Sequence, residues 1–425
     1  MKTIRRTYYL ILSLFWFATA LPMALSVLLA QARGLSLFEI GLLMGGYSLT
    51  IVLLEVPTGG LADTIGRKRV ALLAYACLTL ASLVFLLAFS LPVFLLAFIL
   101  NGVGRALSSG ALDAWFIDAV QAADPEADLQ PDLARAGTFS LLALGSATLL
   151  GSFIPHLFQD LPPDGTAVLT PLALPVLLAM LFHFFTLTAT LLLLKEERRA
   201  TSASWGQRLA QTWPTLQAAF AQSWSNPTLL RLLAVTAASG LALISLETLW
   251  QPFFAGLLSG AETPTLFFGV VMGGNFIIGM AGNLLATPLS RLLNRRYGLV
   301  CALFQGVRGL TLIALAWQTG TPTAAILFWL VYLNMGIINS PHSTLLNREI
   351  PAAQRSSLLS IESLAGYVGC IAGSVGLGYV AEQISISAAW IISGVVLVVS
   401  LGLYLQVEAG RRENNGQKTL VLETH

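Results

Sequence analysis

Gly59-Gly60-Leu61-Ala62-Asp63-Thr64-Ile65-Gly66-Arg67-Lys68-Arg69-Val70 is the stretch that decides the fold. A carboxylate, a turn-forming glycine and three consecutive cations stand between two long apolar segments. A soluble protein has little use for such a run, whereas a short charged hairpin joining two membrane spans requires it. Composition agrees. The chain is 56% hydrophobic and 10% charged over 425 residues, with a mean hydropathy of +0.77, against about 25% charged residues in a soluble domain. A membrane helix takes roughly 20 apolar residues, so about twelve spans use most of this length.

Apolar runs place the spans at 8–30, 38–58, 70–90, 93–119, 136–158, 172–194, 229–256, 266–288, 298–317, 323–343, 357–382 and 386–407. With the amino terminus inside, 20 of the 23 Lys+Arg fall in inner loops and tails or, for Arg231, at the inner edge of a span. Only Arg33 falls in an outer loop, and Arg105 and Arg308 fall within spans. The cation bias therefore predicts cytoplasmic termini. Arg5-Arg6 followed by an apolar run could pass for a secretion signal, but a signal core is about 7–15 residues. The run reads better as a retained first span. Cys77, Cys301 and Cys370 all lie in apolar stretches and read as small core residues rather than disulfide or metal partners.

The longest inner loop splits the spans six and six, giving bundles at 1–194 and 229–407, a linker at 195–228 and a cytoplasmic tail at 408–425. In the linker Trp205, Leu209, Trp213, Leu216, Phe220 and Trp224 recur every three or four residues. They predict a helix lying along the membrane surface, with Pro214 as its break; a loosely ordered linker is the alternative. The loop after span 8, Leu289-Ser290-Arg291-Leu292-Leu293-Asn294-Arg295-Arg296, lies over Leu61–Lys68 without a gap. Asp63 becomes Arg291 and Gly66 becomes Asn294 in this faded second copy.

The opening run resembles the loop signature of the major facilitator superfamily, Gly-x-Leu-Ala-Asp-x-x-Gly-Arg-Lys, in the place where that family carries it. The resemblance implies an all-α membrane protein of twelve transmembrane helices in two pseudo-symmetric six-helix bundles, acting by alternating access. Glu55-Val-Pro-Thr-Gly ahead of the signature is similar to a branch with many drug exporters. Span 4, with Arg105 followed by Gly110, loosely resembles the family's span-4 motif. The Gly-Pro pair typical of many drug–proton antiporters is missing from span 5.

A charge within a span is a site candidate by default. On a continuous helix Asp113 would lie about 80° round from Arg105 and roughly 12 Å further in, so that both could border one cavity. Asp113 reads equally as a proton carrier tuned by Arg105 and as half of a structural ion pair with it. Asp118, about 140° beyond, points elsewhere, and the resemblance pairs it with Arg67. Glu55 either titrates or fixes the loop. The resemblance makes span 7 a cavity-lining helix, so Glu247, Trp250 and Gln251 are expected to meet substrate. Glu362 sits in span 11, and the resemblance sets Asp63 near the amino end of that helix, where the helix dipole favours a carboxylate. Gly59, Asp63, Gly66, Arg67, Lys68, Asp118 and Glu362 form the expected gate. Arg308 and His183 have no evident partner.

The expected function is secondary transport, with proton-coupled export of small amphipathic or hydrophobic molecules favoured. A symporter or uniporter importing a nutrient is the alternative, and a non-transporting sensor or scaffold the second. No phosphate-binding Gly-x-x-x-x-Gly-Lys-Ser/Thr loop is present. Neither nucleotide, cofactor, metal nor nucleic acid is expected, and nothing suggests an enzyme. The partners expected are a small-molecule substrate, H+ and the lipid bilayer. The protein is expected to be monomeric in a bacterial cytoplasmic membrane.

Overall fold

The computed structural model describes residues 1–162, 165–196, 214, 217, 220–221, 223–258, 264–350 and 355–423. It omits side-chain surroundings at 56–57, 59–60, 63, 355–357 and 411–423. Among the described residues every regular element is helical. In chain order these are α1 (Lys2–Ala20), α2 (Ser26–Ala32), α3 (Leu37–Ile65), α4 (Arg67–Leu86), α5 (Leu91–Ser108), α6 (Ala111–Ala123), α7 (Gln130–Leu157) and α8 (Leu174–Leu193). There follow α9 (Pro227–Leu257), α10 (Thr265–Leu292), α11 (Tyr297–Ala316), α12 (Thr321–Glu349), α13 (Arg355–Ala372), α14 (Gly378–Gln383) and α15 (Ile386–Glu423).

Eleven segments among the described residues are long and apolar enough to cross a membrane, and they coincide with expected spans 2 to 12. The first expected span is helical but broken. Turns at Leu21–Leu25 separate α1 from α2, because Pro22 has no N–H with which to continue the ladder. Leucines and valines such as Leu192 (71% exposed), Leu284 (71%) and Val399 (72%) cover the outside. That surface suits hydrocarbon and would be a liability in water.

Three expectations need correction. The charged run is not a loop: α3 continues through Ile65 and α4 begins at Arg67, leaving Gly66 alone between them. Its φ of 96° and ψ of 147° belong to a region that essentially only glycine occupies. Span 4 is two helices, since Gly110 at φ 73° interrupts it between α5 and α6. The expected boundary between span 12 and the tail at 407/408 is not a break, since α15 continues to Glu423. At the start of α3, by contrast, the sequence is explicit. Ser36 and Glu39 form a reciprocal capping box that satisfies two orphan N–H groups.

Contacts divide the chain into two compact units. One comprises Met1–Trp213 with Trp250–Phe276, the other Pro214–Leu249 with Ile277–His425. In the first, Tyr8, Ile11 and Phe15 of α1 pack on Tyr75 and Leu78 of α4 and on Trp115 and Phe116 of α6. In the second, Leu229, Leu232 and Val235 of α9 meet Cys301, Leu345, Leu346, Tyr404 and Val407. Between apolar helices in lipid, such packing and interhelical hydrogen bonds hold the bundle. Of the linker's apolar face, Trp205, Leu209, Trp213 and Leu216 lie outside the described residues. Phe220 and Trp224 are exposed, with ring centroids 6.2 Å apart.

Candidate functional site

The loop signature closes on itself at the end of the first unit where the basic residues gather, called here the basic end. Arg67 Nη1 lies 2.9 Å from Asp118 Oδ2 and also donates to the carbonyl of Ala114. The side chains are 20% and 31% exposed, so the pair is partly solvated. Glu196, just after α8, accepts the backbone N–H of Arg67 (2.7 Å) and of Lys68 (2.9 Å). A carboxylate there complements the positive end of α4. Lys68 Nζ donates to Leu191 O at 2.8 Å, and Trp115 Nε1 to Lys195 O at 2.9 Å. Gly66, Arg67, Lys68 and Asp118 are thus brought together, with Glu196 as a member hidden in the charge run 195–199. Gly59 and Asp63 belong to α3, but their surroundings lie outside the described residues, as do the side chains of the first turn of α13. Glu55 is half-buried in α3.

Arg105 and Asp113 are separated by the break at Gly110. No ion pair within 4.0 Å joins them among the described residues. The left-handed Gly110 removes the single continuous helix on which a separation of about 80° between the two would rest. Arg105 occupies the last turn of α5 and Asp113 the first turn of α6, each at the helix end whose dipole suits its charge. Asp113 takes a different partner. The Tyr8 hydroxyl donates to its Oδ1 at 2.7 Å, and the Tyr8 ring stacks on Phe116 with centroids 4.1 Å apart. Asp113 itself remains exposed. A second carboxylate, Asp132, went unnoticed in the sequence. It is 1% exposed and bound by Arg5 Nε (2.7 Å) and Tyr9 OH (2.9 Å), tying α1 to α7.

Trp250 and Gln251 do not face open space. They are 2% and 1% exposed. Gln251 Oε1 accepts the N–H groups of Val27 (3.0 Å) and Leu28 (3.3 Å), while its Nε2 donates to Met23 O at 2.9 Å. The break before α2 leaves just such orphan donors, and a side chain 223 residues away caps them. In this conformation both side chains are engaged by protein rather than open to a cavity.

Glu247 is different. It is exposed while Ile244–Leu246 and Thr248–Trp250 around it are buried. Arg308, 3% exposed with Nε lacking a hydrogen-bond partner, lies within electrostatic reach of Glu247, Tyr332 and Tyr404. Among the described residues no ion pair within 4.0 Å joins Arg308 to Glu247, so the two opposite charges are near each other without a direct contact. Nearby in the same unit, His342 Nε2 lies 3.2 Å from Glu362 Oε1 and 3.2 Å from Thr236 Oγ1, and its Nδ1 lies 2.8 Å from Tyr404 OH. His342 is a residue that sequence reasoning passed over. His183 is buried, its Nδ1 without a partner, and nothing in the structure explains it.

Arg33, just after α2, is enclosed by protein. It donates to the carbonyls of Phe85, Leu86, Ala88 and Val168 at 2.9–3.1 Å and lies 4.5 Å from the Phe89 ring centre. Burial pulls its guanidinium below the usual arginine value. No group of three or more metal-ligating side chains occurs among the described residues.

The Major Facilitator Superfamily model matches residues 8–374 and again 265–423. No curated protein matches the chain. Among solved structures, a mutant of the nucleoside transporter NupG superposes with a TM-score of 0.77 at 15% identity, covering 95% of this chain and 99% of that one. A POT family transporter in complex with a thioalcohol-conjugated peptide gives 0.72 at 12% identity, covering 96% of each chain. At these identities the likeness is one of fold.

Proposed function

Because this chain belongs to the major facilitator superfamily, as a multi-pass membrane protein of a transporter family, we propose that it is a proton-coupled secondary transporter of a small, polar molecule. The observation that carries this reading is the set of charges inside the spans that form no ion pair within 4.0 Å among the described residues: Asp113, Arg105, Glu247 and Arg308. Charge in a membrane is costly and is kept where it does work on a proton or a substrate. Asp113, held by Tyr8, is the proton carrier. Glu247, exposed between buried neighbours, offers an anion to a substrate, and the buried Arg308 in the same unit supplies the compensating positive charge.

Arg67, Asp118 and Glu196, together with Gly59, Asp63, Gly66 and Lys68, act as the latch at the basic end, and that end faces the cytoplasm. Glu362, with its partner His342, belongs to the corresponding part of the second half. Glu55 anchors the loop signature. The protein works as a monomer in a bacterial cytoplasmic membrane, with the bundles at 1–194 and 229–407 as the moving parts.

Direction has two readings. The likeness of Glu55-Val-Pro-Thr-Gly to exporters favours extrusion of amphipathic compounds. Burial of Trp250 favours the other. With this aromatic withdrawn, the accessible groups are charged, and uptake of a polar nutrient fits them better. The nucleoside and peptide transporters of the same fold work on molecules of that polarity. Proteoliposomes loaded with a pH-sensitive dye decide it. Nucleosides, dipeptides and lipophilic cations are added in turn to wild-type, Asp113→Asn and Glu247→Gln protein. Substrate-driven proton movement lost in both variants supports the proposal. Proton movement unaffected by Asp113→Asn refutes the assignment of the carrier.

A further inference from the structure

The two copies of the loop pattern treat their cations differently. In the first, Arg67 has Asp118 at 2.9 Å, and Glu196 neutralises the start of α4. In the second, Arg295 stands in the place of Arg67 and Arg291 in the place of Asp63. Both are exposed, and neither has a carboxylate within 4.0 Å among the described residues. Their neighbours are engaged: Arg296 Nε meets Glu408 at 3.3 Å, and Arg348 lies 5.0 Å from the Tyr297 ring centre. Two arginines of this loop are left over, and they line the same space.

That space is a cleft of about 280 Å³ in the second unit, walled by the basic ends of α10 and α12. Thr287, Ser340 and Thr344 line it with Arg291, Arg295 and Tyr297. Its origin lies two turns deeper. At Gly282 a Cβ would come 2.2 Å from Leu333 O, and at Gly336 another would come 2.2 Å from Gly279 O. The backbones touch there, as small residues permit, and the same helices leave the cleft open beyond that crossing.

The loop also fixes where Arg295 starts. Arg295 N donates to Ser290 O at 2.7 Å and Asn294 N to Arg291 O at 3.0 Å, the paired bonds of a Schellman stop. Asn294 and Arg295 both take positive φ, 52° and 56°. Asparagine takes this region readily and arginine rarely, and the two backbone bonds of the stop set Arg295 at the cleft.

We propose that this cleft binds a phosphate group, borne either by an anionic lipid headgroup or by a soluble phosphate. Two guanidinium forks carry two positive charges against a lining with no carboxylate. Thr287 and Ser340 present hydroxyls that can donate. A tetrahedral oxyanion with three or more acceptor oxygens uses all of these, whereas a carboxylate offers only two oxygens. The volume admits a phosphate with its glycerol attached. Basic pockets between helices at a membrane surface suit such headgroups. The site is independent of the transport reading, because none of its residues carries the proposed proton or substrate.

The test uses the full-length protein and two probes. Inorganic phosphate is titrated in nonionic detergent while thermal unfolding is followed. Separately, the protein is taken from vesicles of phosphatidylcholine with phosphatidylglycerol and examined by native mass spectrometry for retained lipid. Variants are R291Q/R295Q, the milder S340A, and R6Q/R69Q, which removes two exposed cations elsewhere. Stabilisation by phosphate that weakens about tenfold in R291Q/R295Q, and less in S340A, assigns a soluble ligand. No response to phosphate, with phosphatidylglycerol retained by wild type and by R6Q/R69Q but lost from R291Q/R295Q, assigns a lipid. Should R291Q/R295Q fail to fold, a weakening in S340A alone carries the result. Absence of both effects, or equal loss in R6Q/R69Q, overturns the proposal.

Discussion

Replacing Gly66 by alanine perturbs the first loop in two separable ways. The backbone sits at φ 96°, ψ 147°, and holding a Cβ there costs about 1–3 kcal/mol. The new methyl would also stand 2.8 Å from Glu196 Oε2, so the carboxylate must retreat from the N–H groups of Arg67 and Lys68. Hydrogen bonds to a charged group are worth roughly 1.5–3 kcal/mol each when buried. Here the site is solvated, and about 1 kcal/mol for the two together is the fitting figure. Gly66→Ala should therefore destabilise by about 2–4 kcal/mol. Gly110→Ala is the control, because its φ is 73° and nothing lies within 4 Å of its Cβ position; it should cost only about 1–2 kcal/mol. Denaturant titration in micelles, followed by circular dichroism, measures both. In a Glu196→Ala background the Gly66→Ala penalty should shrink by the carboxylate's share. Equal penalties for the two glycines, or no change on removing Glu196, would refute the reasoning.

Other outcomes follow from the same geometry. A double-mutant cycle on Arg67→Gln and Asp118→Asn should give a coupling of about 0.5–1 kcal/mol, the range for a partly exposed pair, and 0.5 M salt should reduce it; a salt-independent coupling would contradict the solvated geometry. Gln251→Leu strands two N–H donors and one carbonyl, so a loss of about 2–4 kcal/mol is expected, with faster amide exchange at Val27 and Leu28. Unchanged exchange there would show that the cap is not needed. In the transport assay, Tyr8→Phe should slow proton movement by about tenfold, the worth of one hydrogen bond to a charged group, while Asp113→Asn abolishes it; a Tyr8→Phe variant with wild-type rates would detach Tyr8 from coupling.

Spans 2 to 12 were legible because hydropathy over twenty residues reports directly on the solvent around a helix. The Arg67–Asp118 pair was legible because the family resemblance specified both partners. Interruptions were not. Pro22 and Gly110 are ordinary tokens in membrane helices, where neighbouring groups can re-satisfy the backbone; only the structure shows which of them break the chain. The capping role of Gln251 was hidden for a related reason. A lone polar residue in a span reads as a site, yet this one repairs a helix start that lies far away in sequence. Tyr8 and Asp113 are 105 residues apart, and Glu196 stands 129 residues from the Arg67 N–H that it accepts. Pairings of that range leave no trace in local pattern.

The turn residues of the two loops carry unequal histories ahead of them. Gly66 occupies a conformation that no side chain tolerates well, with a carboxylate pressed against it. Asn294 occupies the milder left-handed region that asparagine, aspartate and glycine share. Drift under selection is therefore expected to be one-sided. Position 294 can pass among three residue types at little cost, while position 66 has no neutral neighbour. A pattern that began as two copies would erode fastest in the second, which is how the sequence of this chain reads.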